Sequence, residues 1–468
     1  MSRSLGVLTM SLALAVVVPG AVMAQGFSVN EHGSCVMGRG GTGVASPCAD
    51  GSTILFNPAG IAGTLGWTVA AGVTPIYAGG GFTNDLYQTT DDLDNGVIPV
   101  PHAYVSYGIT ARLAAGFGFF VPYGLGTKWK TDFDGRFLGY DNDLKSMYFQ
   151  PTLAYDVGNN VKIGAGFDFV VGSLKLTQRA DLSEFEAAPG ITFGQIGIPF
   201  HSDFSDGKLE AHGATGFGGN FGISWDATHW ISFGARYMTR VKLDYEGTAS
   251  FTAVPTGIVL PPGNPISILL SLPIDQPLPL DAVLEQADLY SSGEPLSEQT
   301  VKTSITMPDQ GVVGFALRAT PKVTLLFDMQ WINWSVFDTL RAEFQYQDED
   351  LVLVESYRDT YGFRFGLDLA ATEKLALRGG YLYHGAAAPD ETVTALLPEG
   401  VRNEFTLGLG YQFSAMFRAD VAYQHLQQND RRGRTRDALP GQAPTTSLNS
   451  GVYQFYGHLF GATLAVHF

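Results

Sequence analysis

From Val452 to Phe468 the chain alternates. Val452, Gln454, Tyr456, His458, Phe460, Ala462, Leu464, Val466 and Phe468 share one face, apolar from Phe460 onward, while Gly457, Gly461, Thr463 and His467 punctuate the other. A period of two marks a strand whose faces meet different surroundings. An apolar face that ends on an aromatic residue predicts the last strand of a bilayer β-barrel. The same alternation recurs upstream. Met147, Phe149, Leu153 and Tyr155 are expected to face lipid, and Tyr148, Gln150, Thr152 and Asp156 the interior. Ile231, Phe233, Ala235 and Tyr237 oppose Ser232, Arg236 and Met238; Val313, Phe315 and Leu317 oppose Gly314, Ala316 and Arg318. Charge keeps to one face because a Lys or Arg turned toward the bilayer midplane costs about 2–4 kcal/mol.

The connections from Trp67 onward are short and long in rotation. Gly108-Ile109-Thr110, Gly158-Asn159-Asn160, Ala227-Thr228-His229, Thr320-Pro321, Ala371-Thr372-Glu373 and Ser414 mark tight turns. Long loops run over 78–98, 122–145, 180–207, 252–299, 345–358, 384–401 and 428–451. Short periplasmic turns set against long outer loops are what a transmembrane barrel requires. The count is about 14 strands, an even number as a single-chain barrel needs. The expected class is therefore all-β: a transmembrane antiparallel barrel over residues 67–468. Residues 25–66 do not alternate and carry Asn57-Pro58-Ala59-Gly60; a segment so placed predicts a plug, or hatch, folded into the lumen.

Residues 1–24 read as a removable leader. Arg3 precedes an apolar run from Leu5 to Val18, and Ala21-Val22-Met23-Ala24 supplies a small-residue cleavage site. No later run approaches the roughly 20 apolar residues of a spanning helix. Ile266–Leu280 comes nearest and is broken by Pro273, Pro277 and Pro279. The expected location is thus the bacterial outer membrane, crossed many times by strands. Gly 57, aromatic content of 12% and a mean hydropathy of +0.07 suit many short strands. A net charge of −17 argues against nucleic acid as a partner. Cys35 and Cys48, the only cysteines, match no zinc spacing, and an oxidising compartment favours a disulfide between them. No cofactor is expected.

Several ordered motifs resemble the family of outer-membrane long-chain fatty-acid transporters known as FadL. They are Gly26-Phe27, Asn30-Glu31, Gly38-Arg39, Asn57-Pro58-Ala59, Pro122-Tyr123-Gly124-Leu125, Gly164-Ala165-Gly166-Phe167-Asp168, Trp334-Ser335 with Phe337, and Leu377-Arg378-Gly379-Gly380. The resemblance spans essentially the whole mature chain. It implies a 14-stranded barrel with a small N-terminal hatch, and passive uptake of fatty acids or, in one branch, of aromatic and other hydrocarbons.

Each buried methylene is worth about 0.8 kcal/mol, so a greasy molecule prefers any apolar groove to water. The third and fourth outer loops, 180–207 and 252–299, are apolar for exposed segments; Ile268, Leu269 and Leu272 are candidate capture residues, or else they pack the two loops together. A carboxylate head group would need a cation in the lumen. By the resemblance, Arg341 aligns with a family lysine that binds the head group, and Arg179, with Lys175 nearby, with a second basic position. Strict alternation would turn Arg341 outward, so that role requires a bulge near Trp334-Ser335, and Arg179 a slip near Gly172-Ser173. The family's lateral exit is a kink in the third strand; Gly116 and Gly118 are the candidates for it, and Asn57, Pro58 and Ala59 for the shifting hatch. The implied partners are a long-chain fatty acid or other hydrophobic ligand, membrane lipid and lipopolysaccharide, with the chain acting as a monomer. A general porin is the alternative. Scattered histidines and the lack of a Gly-x-Ser-x-Gly elbow argue against an enzyme.

Overall fold

The computed structural model describes residues 26–85, 88–347, 350–433 and 451–468. The leader read over residues 1–24 lies outside them. Fourteen strands form one meander. They are β1 (Gly66–Asn84), β2 (Ile98–Gly108), β3 (Leu113–Lys128), β4 (Asp141–Gly158), β5 (Val161–Asp181), β6 (Asp203–Trp225) and β7 (Ile231–Met238, resuming as Val241–Ala253). There follow β8 (Gln299–Met307 and Gln310–Thr320), β9 (Val323–Ile332 and Thr339–Phe344), β10 (Leu351–Val354 and Thr360–Ala370), β11 (Leu375–His384), β12 (Arg402–Gln412), β13 (Phe417–Gln428) and β14 (Gly451–His467). Each pairs antiparallel with the next, and β14 returns to β1, from Thr68↔His467 to Asn84↔Gly451. Closure gives every strand a neighbour on both sides, which is how strands satisfy their backbone groups in lipid.

The faces sort as alternation requires. On β14, Phe460 and Leu464 are 55% and 67% exposed, whereas Leu459, Thr463 and Ala465 are buried. On β4, Tyr148, Gln150 and Thr152 are buried and Leu153 and Tyr155 exposed. The strands run longer than the spacing of loops suggests, because several continue above the membrane. There β7, β8, β9 and β10 all break, around Thr239, Pro308, Trp334–Val336 and Glu355. Asp309 ties the break together, accepting from Tyr237 at 2.9 Å and Asn333 at 2.9 Å and pairing with Arg240 at 3.1 Å. Beyond it the outer face turns charged, with Lys242–Asp244 and Lys302–Glu246 ion pairs.

Residues 26–62 occupy the space inside the ring. They form α1 (Ser34–Gly38), α2 (Thr53–Phe56) and a 3-10 turn over Pro58–Ile61, nearly all buried. Their hydrogen bonds reach the wall all round. Ser34 N–H donates to Thr463 of β14 at 3.1 Å, Gly40 N–H to Thr406 of β12 at 2.9 Å and Gly43 N–H to Asp328 of β9 at 2.8 Å. Tyr104 of β2 donates to His32 O at 2.9 Å and Gln150 of β4 to Ile54 O at 2.8 Å. One ion pair adds to these, Arg39 with Asp368 at 3.7 Å, and within the wall Arg378 holds Asp368 and Asp420 at 3.2 and 2.7 Å. Cys35 and Cys48 are joined by a disulfide with a Cα–Cα distance of 6.2 Å, linking α1 to the turn before α2.

At several of its tightest contacts with the segment, the wall is glycine. A Cβ on Gly164 of β5 would lie 2.4 Å from Ala59 N, and one on Gly222 of β6 would lie 2.1 Å from Asn57 Oδ1. Gly408 of β12 stands likewise against Gly38, at 2.7 Å. At Gly164 and Gly408 backbone meets backbone, and at Gly222 the wall leaves room for the Asn57 side chain.

Candidate ligand cavity and lateral opening

β2 begins Ile98-Pro99-Val100-Pro101, and neither proline has an N–H to give a neighbouring strand. This end of β2 pairs with β1 only, from Ile98↔Ile76 to His102↔Gly72, whereas β2 and β3 pair only from Ala103↔Phe119 to Gly108↔Ala114. Above Phe119, β3 bends away. Its register with β4 slips between Phe120 and Tyr123, around Pro122. The barrel wall therefore parts between the upper halves of β2 and β3.

The polar groups of β3 exposed by that parting are taken up by the N-terminal segment. Val29 N–H donates to Pro122 O at 2.8 Å and Gly124 N–H to Phe27 O at 3.0 Å, a short antiparallel bridge centred on Ser28 and Tyr123. Val121 N–H donates to Nε2 of His32 at 2.9 Å. Burial holds that imidazole well below its ordinary pKa, so it stays neutral and able to accept. Phe27 is wedged against Trp334, ring centroids 4.6 Å apart, and against Phe337 at 5.4 Å.

A cavity of about 370 Å³ fills the gap. Its inner wall is Leu426, Leu459, Arg402, Glu404 and Gln428; its floor is Phe27, Ser28 and Val29; its mouth lies between Pro99, Val100 and Pro101 on one side and Phe119, Val121 and Met147 on the other. Met147 lies on the outward face of β4, so the cavity leads from lumen to outer surface through the wall. Most of its lining is hydrocarbon. Glu31 and Glu404 are satisfied internally: both accept from Gln424, Glu31 also accepts from Asn30 N–H at 2.8 Å, and Glu404 lies 3.3 Å from His384 Nδ1.

The structure corrects the expectation for Gly116 and Gly118. Both sit in regular pairs, with Ser106 and Tyr104 of β2 and with Thr152 and Gln150 of β4. They are small because Ile54 of α2 packs there; a Cβ on either would stand 2.8–2.9 Å from it. The bend lies higher, at Val121-Pro122, and its sequence signal is the prolines.

The basic residues also fall elsewhere. The 3-10 turn at Trp334–Val336 leaves the alternation of β9 in phase, so Leu340 and Ala342 point inward and Arg341 outward, 56% exposed and 2.7 Å from Asp350. Arg341 is not a lumen cation. Lys175 likewise stands on the outer face, 2.7 Å from Asp141. A register shift does occur beside Gly172-Ser173, but the extra residue is Gly213 on β6 (φ 77°) and not on β5. Arg179 therefore pairs with Asp206 at 3.6 Å and lies over the Tyr140 ring, outside the cavity lining.

The two long outer loops, 182–202 and 254–298, do two jobs. Ile266 of α3 (Pro265–Leu269) and Leu280, which opens α4 (Leu280–Gln286), are buried with Leu182, Phe193, Ile198 and Phe204 and hold the loops together. Ile268 and Ile274 are 65% and 56% exposed, Leu269 and Leu270 are exposed beside them, and Leu272 is half-buried. Asn57 caps the 3-10 turn, accepting from Ala59 N–H at 3.1 Å and donating to Val44 O at 2.6 Å and Ile223 O of β6 at 3.0 Å; Asn57-Pro58-Ala59 is thus clamped between segment and wall.

Known proteins share this architecture. The chain is 23% identical over 451 residues to the long-chain fatty acid transport protein of Salmonella typhi, covering 95% of this chain and 94% of that one. Its fold matches a crystal structure of a Pseudomonas aeruginosa FadL homologue with a TM-score of 0.78 at 18% identity, covering 95% and 100% of the two chains. It also matches the Pseudomonas putida toluene transporter TodX, with a TM-score of 0.65 at 16% identity over 94% and 99%. A family model described as outer membrane protein transport protein (OMPP1/FadL/TodX) matches residues 15–468, and the chain belongs to that family of outer-membrane β-barrels.

Proposed function

We propose that this protein is a passive outer-membrane uptake channel for long-chain fatty acids or similarly hydrophobic molecules. The observation that supports it most is the apolar cavity that passes through the wall where β2 and β3 part. A ligand first meets the exposed Ile268–Ile274 surface of the outer loops. It then enters the cavity, driven by about 25 cal/mol for each Å² of apolar surface removed from water. It leaves sideways between β2 and β3, because the lumen below is filled by the N-terminal segment, which serves as a hatch. Val29 and Phe27 line the cavity and pair with β3, so the start of that hatch is the part a departing ligand displaces.

Ala78 of β1 faces the cavity and is buried. Ala78→Trp should fill it and abolish uptake of a labelled hydrophobic substrate while the barrel still folds. Uptake unchanged in a folded Ala78→Trp variant would count against this route. The same fold would serve an aromatic hydrocarbon, and the cavity chemistry below bears on that choice.

A further inference from the structure

Arg402 of β12 and Gln428 of β13 are direct cross-strand partners, both on the inward face, and both line the cavity. Arg402 spends one Nη2–H on Gly26 O at 3.2 Å; its Nε is buried with no hydrogen-bond partner among the described residues. Gln428 donates from Nε2 to Pro398 O at 2.6 Å, which fixes the orientation of its amide, and its buried Oε1 has no partner either. A guanidinium donor and an amide acceptor therefore lie side by side, both unsatisfied, at the inner end of a hydrocarbon-lined cavity. Buried polar atoms left so are costly, which favours a ligand that satisfies them. Ser28 Oγ on the floor, and His384 Nε2 and Arg431 Nε behind the wall, are also buried without partners among the described residues, but the carboxylates around the site are bonded. Glu399 accepts from Gly26, Ala387 and Ala388 N–H, Glu404 and Glu31 share Gln424, His384 faces Glu404, and Arg431 donates to Ala388 O and pairs with Asp390.

We infer that Arg402 and Gln428 form the head-group subsite of this cavity, and that the ligand they fit is an acyl chain ending in a protonated carboxyl group. The carboxyl carbonyl accepts from Arg402, and its O–H donates to Gln428 Oε1. A carboxylate would leave Gln428 without a donor and add an anion beside Glu399 and Glu404. A hydrocarbon would leave both groups unpaired. This assignment rests on the cavity being the uptake site, and selects acids over neutral hydrocarbons within that reading.

The test uses the full-length protein in detergent and three probes of equal chain length: dodecanoic acid, methyl dodecanoate and dodecane, with binding measured by calorimetry. The ester can accept from Arg402 but cannot donate to Gln428. Gln428→Met should weaken the acid roughly tenfold, the value of one buried hydrogen bond, and leave ester and alkane unchanged. Arg402→Met should weaken acid and ester alike and spare the alkane. Should Arg402→Met fail to fold, as judged by heat-dependent gel mobility, Gln428→Met alone still decides. Equal losses for acid and alkane, or none for the acid, overturn the subsite. Dodecane binding that survives Ala78→Trp instead overturns the cavity as the uptake site, and the subsite with it.

Discussion

The backbone N–H of Val121 points at Nε2 of His32, 2.9 Å away, instead of at a carbonyl of β2. A strand in the wall of the barrel is completed by a side chain from inside it. The parting of the wall is therefore a built feature whose freed donor has a designated acceptor.

Removing that acceptor should be felt locally. His32→Ala leaves Val121 N–H unpaired and should cost about 1–3 kcal/mol. Hydrogen exchange in the peptide around Val121 should quicken while the β4–β5 ladder stays protected, and His32→Gln, which keeps an acceptor, should restore most of the protection. Unchanged exchange would mean the bond contributes nothing.

Glycines at the seat of the N-terminal segment should be intolerant, and others tolerant. Gly164→Ala drives a methyl to 2.4 Å from Ala59 N, whereas the nearest atom to a methyl at Gly379 is 3.8 Å away. Overpacking of this kind costs typically about 1–3 kcal/mol. Gly164→Ala should lower the melting temperature and open the Cys35–Cys48 disulfide to reductant, and Gly379→Ala should do neither.

Arg341 should matter little. Its ion pair with Asp350 is exposed, and such pairs are worth about 0–1 kcal/mol. Arg341→Ala should leave dodecanoic acid affinity at the wild-type value in the same calorimetric assay. A loss confined to the acid would return the head-group role to this residue.

Glu355, in the bend between the two segments of β10 above the membrane, is buried, and burial raises its carboxyl from 4.5 to about 7. The folded state holds this proton more tightly than the unfolded one. The stability it contributes is complete below 4.5 and is lost as pH rises through about 7. The loss is about 3 kcal/mol for a shift of this size. Glu355→Gln should remove it, so the variant should melt higher than wild type in alkaline detergent solution and equally in acid. A pH-independent difference would exclude the linkage.

The barrel was legible because lipid outside and protein inside impose alternation on every strand, from Met147–Tyr155 to Phe460–Phe468. The turns and the count of 14 were legible for the same reason. Gly116 and Gly118 weaken a strand and so point to the lateral gap at the wrong height. What decides it is a missing donor, and Pro99, Pro101 and Pro122 carried that signal in plain view. Parity alone put Arg341 outside, and a 3-10 turn that preserves phase kept it there. Arg402 and Gln428 could not be singled out, being two inward polar residues among many. They become a site only through the β12–β13 register and the folding of Gly26–Val29 against them. Gly-rich composition was visible, but which glycines abut the segment depends on where that segment settles.

The seat for residues 26–62 includes Thr463 and Gly461 on the last strand as well as Thr74 on the first, which donates to Glu31 O at 2.8 Å. Residues 26–62 therefore have no complete resting place until β14 has joined the ring. Closing the seam between β1 and β14 completes that seat, so the docked segment and the closed ring stabilise one another.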